Sequence, residues 1–293
     1  MEDLIIDEIK AINKNPYSWG NQVLYDMCKK SDLKNEEHLS SKIWIIGRSY
    51  AASPERRSYG YDKDKIPLHN IKKSNDGTGL FFDVIAKDMV GGSLSDDYNY
   101  LIKNIEELKD KKYNYDVSDY DKYLIVKSLE AVLIFNELIK TASENFDELT
   151  KEELKEIHCK NQISFCSKFL HFHCKDVIYI FDQNSFAGNH LLFQYSGKKD
   201  LSIGSVKLSR EQFRHKISIS FEMEINKLLK NAVENLKEEL KSKIKNALKD
   251  KYKDYITHFI LSYQLSCYLK EDGLGAGPRE VDNVLLKVKS YEK

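Results

Sequence analysis

Proline and glycine are scarce, at 4 and 13 of 293 residues. So little turn chemistry disfavours an all-β sandwich or barrel and favours helices. Cysteine is also sparse, with five residues scattered without framework spacing. That pattern excludes a disulfide-stapled secreted domain and predicts free thiols in a reducing compartment. No apolar run approaches the ~20 residues a membrane helix needs. The opening Met1-Glu2-Asp3-Leu4 lacks a basic n-region and an apolar h-region, so no signal peptide and a cytoplasmic location are expected. There is no excess of either charge sign, with 46 Lys+Arg against 46 Asp+Glu.

What is present is a core-forming composition: 41% hydrophobic residues, 18 Tyr and 13 Phe. That argues against wholesale disorder. The length allows one large domain or two small ones. Zero net charge conceals polarity along the chain. Residues 42–73 carry 8 basic and 3 acidic side chains, net +5. Residues 96–156 carry 9 and 16, net −7, and residues 205–253 carry 13 and 7, net +6. Two basic stretches suit a polyanion-binding face, and equally suit solvated helix faces.

Periodicity predicts helices over 3–13, 21–30, 41–57, 80–89, 97–108, 119–141, 163–172, 183–195 and 254–269, with a terminal helix from Pro278. In 41–57, Ile43, Trp44, Ile46 and Ala51 are expected inward, Arg48, Arg56 and Arg57 outward, and Pro54 bends or ends the helix. Thr150 and Glu153 form a capping-box signature. Residues 59–79 read as a long polar loop, and Asn75-Asp76-Gly77-Thr78-Gly79 as a turn rather than a phosphate loop. Val177 to Phe181 reads as a short strand or an extended connection. Residues 201–221 are ambiguous. Ile225, Leu229, Val233, Leu236, Leu240, Ile244 and Leu248 are spaced 4, 4, 3, 4, 4, 3, a coiled-coil-like seam on one long helix. That seam fits an insertion arm, a support helix or a homo-oligomer surface. The chain divides into an N-terminal helical region with the basic Arg segment (1–95), a helical core (96–200), a charged helical insertion (201–253) and C-terminal core helices (254–293).

Three constellations carry candidate chemistry. Lys168 sits in an apolar run, and Asp182 follows at a helix start. A desolvated Lys is pushed toward its neutral, nucleophilic form, and a carboxylate beside it stabilises a cationic transition state. The same residues also suit a snorkelling Lys and an N-capping Asp. His158, Cys159, Cys166, His171, His173 and Cys174 fall within 17 residues, yet their spacing matches no zinc or iron–sulfur pattern, so no metal and no cofactor are expected. Arg48, Arg56 and Arg57 suit bidentate phosphate recognition or interhelical ion pairs.

The Lys168 stretch, with Ile180-Phe181-Asp182, resembles the catalytic core of the helix-hairpin-helix DNA glycosylases, in particular their 8-oxoguanine glycosylase-like branch. Residues 277–286, Gly-Pro-Arg-Glu-Val-Asp-Asn-Val-Leu-Leu, resemble the closing helix of bacterial proteins of that type. The family's Gly-x-Gly hairpin before the Lys is absent, because Ile163-Ser164-Phe165-Cys166-Ser167 stands there. The resemblance implies a mainly α, glycosylase-like helical body with a long helical insertion and little or no β structure. It implies base flipping from duplex DNA, attack by Lys168 on the sugar and charge stabilisation by Asp182, or activation of a water by Asp182 alone. Arg48, Arg56, Arg57, His171, His173 and Arg279 would contact phosphate or the extruded base. DNA is then the expected partner, in repair or in defence against phage. A non-enzymatic helical module that binds nucleic acid or nucleotides is the alternative.

Overall fold

The computed structural model describes residues 17–30, 32–50, 81–144, 162–194, 201–203, 206–208, 219–248, 252–271 and 277–290. The helix expected over 3–13, the 59–79 loop with its Asn75–Gly79 turn, Pro54, Arg56, Arg57, the Thr150/Glu153 cap, His158 and Cys159 lie outside the described residues. So does the side chain of Arg48.

Eleven helices are described: α1 (Tyr17–Lys30), α2 (Glu36–Ser49), α3 (Phe81–Val90), α4 (Ser95–Leu108), α5 (Asp119–Glu144), α6 (Ile163–His173), α7 (Gln183–Gln194), α8 (Ile219–Val233), α9 (Glu238–Leu248), α10 (Lys253–Glu271) and α11 (Pro278–Ser290). The β structure among them is one antiparallel ribbon, β1 (Leu201–Ile203) on β2 (Val206–Leu208), with Leu201 opposite Leu208. A mainly α protein with little β is what the composition predicts.

The core is organised on α5. It is 26 residues long, and every residue from Ser128 to Lys140 is buried. A helix apolar all round must be surrounded, and α3, α4, α6, α8, α9 and α10 pack on it. These neighbours come from all four stretches of the chain. The helix starts where Ser118 caps it, the Ser118 carbonyl accepting from Lys122 N at 3.0 Å. Its buried polar side chains are matched. Glu130 accepts from the Tyr100 hydroxyl at 3.0 Å and from Lys127 Nζ at 3.1 Å. Glu137 pairs with Lys140 Nζ at 2.7 Å and accepts from the Tyr252 hydroxyl.

Three expectations need correction. The helix expected from Ser41 begins at Glu36, because the Asn35 side chain accepts from His38 N at 2.9 Å and caps it there. Its inner face runs through Leu39, Ile43 and Ile46, all fully buried, which leaves Trp44 one helical step off that face and 49% exposed. The long seam helix is two helices, α8 and α9. Backbone bonds from Asn235 to Ala232 and from Leu236 to Val233, each 3.2 Å, tighten the chain and end α8. The seam residues Ile225 to Ile244 keep their register across this break and are buried, with α8 and α9 packed on α5. The seam thus packs against α5 of the same chain.

The tightest helix contact is between α7 and α11. A Cβ at Gly188 would overlap the Leu285 carbonyl oxygen and stand 2.8 Å from its carbon. Backbone atoms cannot rotate aside, so Gly188→Ala must part the two helices. We expect it to lower stability by about 1–3 kcal/mol despite alanine's better helix propensity. Urea unfolding of the variant against the parent measures this, and an unchanged midpoint would show that the helices sit further apart.

Candidate active site

Val177 to Ile180 is a buried segment outside helix and strand, entered through a turn in which Val177 N and Ile178 N donate to the Cys174 carbonyl at 3.2 and 3.1 Å, and among the described residues no strand lies beside it. Buried backbone groups need partners, and here side chains supply them to three of the carbonyls. The Val177 carbonyl accepts from the Tyr113 hydroxyl at 2.7 Å and from Ser128 Oγ at 3.2 Å. The Ile178 carbonyl accepts from His171 Nδ1 at 2.8 Å, and the Ile180 carbonyl from His258 Nε2 at 3.0 Å. Phe181 N donates to Ser167 Oγ at 3.0 Å. The apolar run read as a strand or a connection is therefore a connection, clamped by α5, α6, α10 and the α4–α5 loop.

The clamp delivers Asp182 to the start of α7. Asp182 Oδ1 accepts from Asn184 N at 2.8 Å and Ser185 N at 3.0 Å, and Asp182 N donates to Ser185 Oγ at 3.2 Å. This is a reciprocal N-cap. With Oδ1 committed to the helix, Oδ2 faces Lys168 Nζ at 3.7 Å. Lys168 lies midway along α6, donates to Ser164 Oγ at 3.3 Å and sits over the Tyr50 ring, 5.7 Å from its centroid. The lysine side chain is 7% exposed and the aspartate 26%, so the carboxylate is the open member of the pair.

Sequence reasoning did not single out Asp282, which α11 brings to the same cluster. Its Oδ2 accepts from Arg279 Nη1 at 3.1 Å, while Oδ1 is buried with no hydrogen-bond partner among the described residues. Burial pushes this carboxyl up from 3.8 to about 6; Arg279 pulls it down, the Asp182 charge adds to the rise, and Lys168 opposes it. The signal was available in part, since Arg279 and Asp282 stand at i and i+3 in a helix opened by Pro278. Arg279 is thus engaged by Asp282.

The two described histidines of the 158–174 cluster, His171 and His173, differ. His171 spends both ring nitrogens. Nδ1 meets a carbonyl, which only accepts, so Nδ1 carries the proton and Nε2 accepts from the Tyr25 hydroxyl at 2.7 Å. Burial pushes its pKa down to about 3, so it is neutral at pH 7 and positions Tyr25. His173 lies deeper in charge terms: burial holds it well below the ordinary value, reinforced by Lys42 and Lys109. Its Nε2 has no hydrogen-bond partner among the described residues. Also among the described residues, no group of three His, Cys, Asp or Glu is arranged to hold a metal ion. Cys166 and Cys174 are buried, and neither is in a disulfide.

The arrangement places a buried amine, a part-open carboxylate and a second carboxylate of raised pKa at the junction of α6, α7 and α11. Comparison of the chain with protein-family models, curated proteins and solved structures finds no match.

Asp282 makes a pH test. In the folded chain it holds its proton up to about pH 6, in the unfolded chain only to the ordinary 3.8. Its stabilising contribution is therefore full below about pH 4 and is lost as pH rises through 6. Relative to Asp282→Asn, the parent should gain roughly 2 kcal/mol on going from pH 7 to pH 4. Urea midpoints of the two proteins across that range check this, and their difference removes the opposing contributions of His171 and His173. A constant difference would mean that the carboxyl titrates normally.

Proposed function

We propose that the protein is a DNA glycosylase that excises a damaged or modified base, with Lys168 and Asp182 as its catalytic pair. The observation that carries this reading is the 3.7 Å approach of the buried Lys168 ammonium to a carboxylate that caps the following helix. That pairing suits substitution at a sugar carbon. The deprotonated Lys168 amine attacks C1′ of a nucleotide turned out of the duplex, and the C1′–N bond to the base breaks, its electron pair leaving with the base. Asp182 faces the positive charge that develops on the sugar and takes a proton from Nζ. Opening of the sugar ring then gives a Schiff base between Lys168 and C1′, from which elimination of the 3′ phosphate cleaves the strand. If the amine stays protonated, Asp182 activates a water instead and the base is released without strand cleavage.

Asp282 and Arg279 support the pair. A second carboxylate beside Asp182 raises the local demand for positive charge, and Arg279 supplies part of it. The mainly helical architecture and the closing helix from Pro278 fit the resemblance seen in the sequence. Repair and excision of modified bases from invading DNA use the same chemistry. The competing reading, a helical binding module, makes Lys168 and Asp182 a structural lock.

Borohydride trapping decides between them. Duplexes carrying an abasic site, 8-oxoguanine or modified cytosines are incubated with parent, Lys168→Gln and Asp182→Asn. We expect a covalent adduct with the parent that is absent in Lys168→Gln, and a loss of base release of roughly a hundredfold or more in Asp182→Asn. Base release without adduct, lost in Asp182→Asn, marks the water route. Neither product on any substrate would sink the glycosylase reading.

A further inference from the structure

Lys168 carries the candidate chemistry, yet its side chain is only 7% exposed. Whatever reacts with it has to reach Nζ first. Three of its contacts are Ser164 Oγ at 3.3 Å, Asp182 Oδ2 at 3.7 Å and the Tyr50 ring, whose centroid lies 5.7 Å away. These three are held in different ways. Ser164 stands one turn back on α6, where every residue from Ile163 to Phe172 is buried. Asp182 is tied to the first turn of α7 by Asn184 N and Ser185 N. Neither can leave the amine without its helix.

Tyr50 can. It is the first residue past the end of α2, where its N donates to the Ile46 carbonyl at 3.2 Å. Its side chain is half-buried and rests against two other helices. The hydroxyl donates to Asn21 Oδ1 on α1 at 2.5 Å, and the ring meets the Phe172 ring of α6 at 5.4 Å, tilted by 52°. Burial pushes this phenol above its ordinary pKa, so it stays the donor in that bond. Rotation about the Cα–Cβ bond carries the ring away and breaks no backbone bond. Against the place it leaves stands Phe172, 3% exposed, with the Tyr25 ring 4.9 Å beyond. A flat ring with the Lys168 ammonium at its face suits that place as the tyrosine does.

We infer that Tyr50 is a gate over the Lys168 amine, latched by Asn21, and that a flipped nucleotide takes its place against Phe172 when the gate opens. The gate follows from the contacts of Tyr50, and the identity of what displaces it rests on the glycosylase reading. In the latched state the amine is shielded from small electrophiles.

Acetylation by an N-hydroxysuccinimide ester, with the sites located by peptide mass spectrometry, reads access to each amine. Tyr50→Phe keeps the ring and loses the latch, and so does Asn21→Ala. Each should raise the Lys168 rate about two- to tenfold, the factor that one net hydrogen bond is worth. Because both break the same bond, the Asn21→Ala/Tyr50→Phe protein should gain no more than either single variant. Tyr50→Ala removes the ring as well and should gain about tenfold or more. Lys140 is the comparator. Its side chain is 9% exposed and it too lies against a tyrosine, 5.6 Å from the Tyr252 centroid. Its rate should stay at the parent's value in every variant. A rise at Lys140 that matches the rise at Lys168 would mean general loosening and overturn the gate, and so would an unchanged Lys168 rate in Tyr50→Ala. Gains that multiply in the double variant would overturn the latch.

Borohydride trapping on an abasic duplex separates the gate from the chemistry. Adduct formation should quicken in Tyr50→Phe by the same factor as labelling. If labelling responds as expected and no protein forms an adduct, the gate stands and the glycosylase reading falls. If the parent forms the adduct while labelling ignores Tyr50→Phe, Asn21→Ala and Tyr50→Ala, the chemistry stands and the gate falls.

Discussion

A buried irregular segment with no strand beside it among the described residues is the constraint from which the site follows. Residues 177–180 cannot satisfy their backbone within a sheet, and they are shielded from water. Tyr113, Ser128, His171 and His258 therefore reach in from four directions to hold the carbonyls of Val177, Ile178 and Ile180. Such a segment has little freedom to shift along its own axis, because each displaced carbonyl would be left unpaired at a cost of about 1–3 kcal/mol. Asp182 follows directly, so its position at the head of α7 is inherited from the clamp. His258 is itself oriented by Asn189, whose Nδ2 donates to its Nδ1 at 2.8 Å, which ties α7 back to α10.

The charges gathered there would be costly if unmatched. Moving an ion into the interior costs several kcal/mol, recovered only with close partners of opposite sign. The cluster alternates accordingly: Lys168 beside Asp182, and Arg279 beside Asp282. The balance is incomplete at Asp282, whose raised pKa expresses the remaining strain. Groups held away from their ordinary ionisation are common where chemistry is done, although structural ion pairs perturb pKa values too. The close approach of α7 and α11 at Gly188 fixes the spacing between the two carboxylates.

Much of the scaffold was legible. The apolar stripes of α4, α5, α6 and α10 announced themselves by spacing, and so did the Pro278 start of α11. Lys168 and Asp182 were legible as candidates, and the packing does bring them together. Other features were not. Trp44 looks like a core residue by type, yet the 100° step of the helix puts it on the outer face, while buried Lys42 takes an inner position. The seam from Ile225 to Leu248 has the spacing of an intermolecular surface, but period alone does not say whether the partner helix is another copy or α5. Asp282 gave only Arg279, three residues before it, as a local sign, since its raised pKa comes first from burial that packing imposes.

By itself the sequence determined the local order of this protein: helices, their caps, a low β content and the positions at which apolar stripes repeat. Those depend on hydrogen bonds and contacts within a few residues, and the residue pattern records them directly. Only the tertiary structure decided which side chains share a buried volume: that Asp182 meets Lys168 across a clamped connection, and that Asp282 joins them from α11. Contacts of that kind depend on how helices far apart in sequence close on one another, and a periodic pattern specifies a face without specifying what the face will meet.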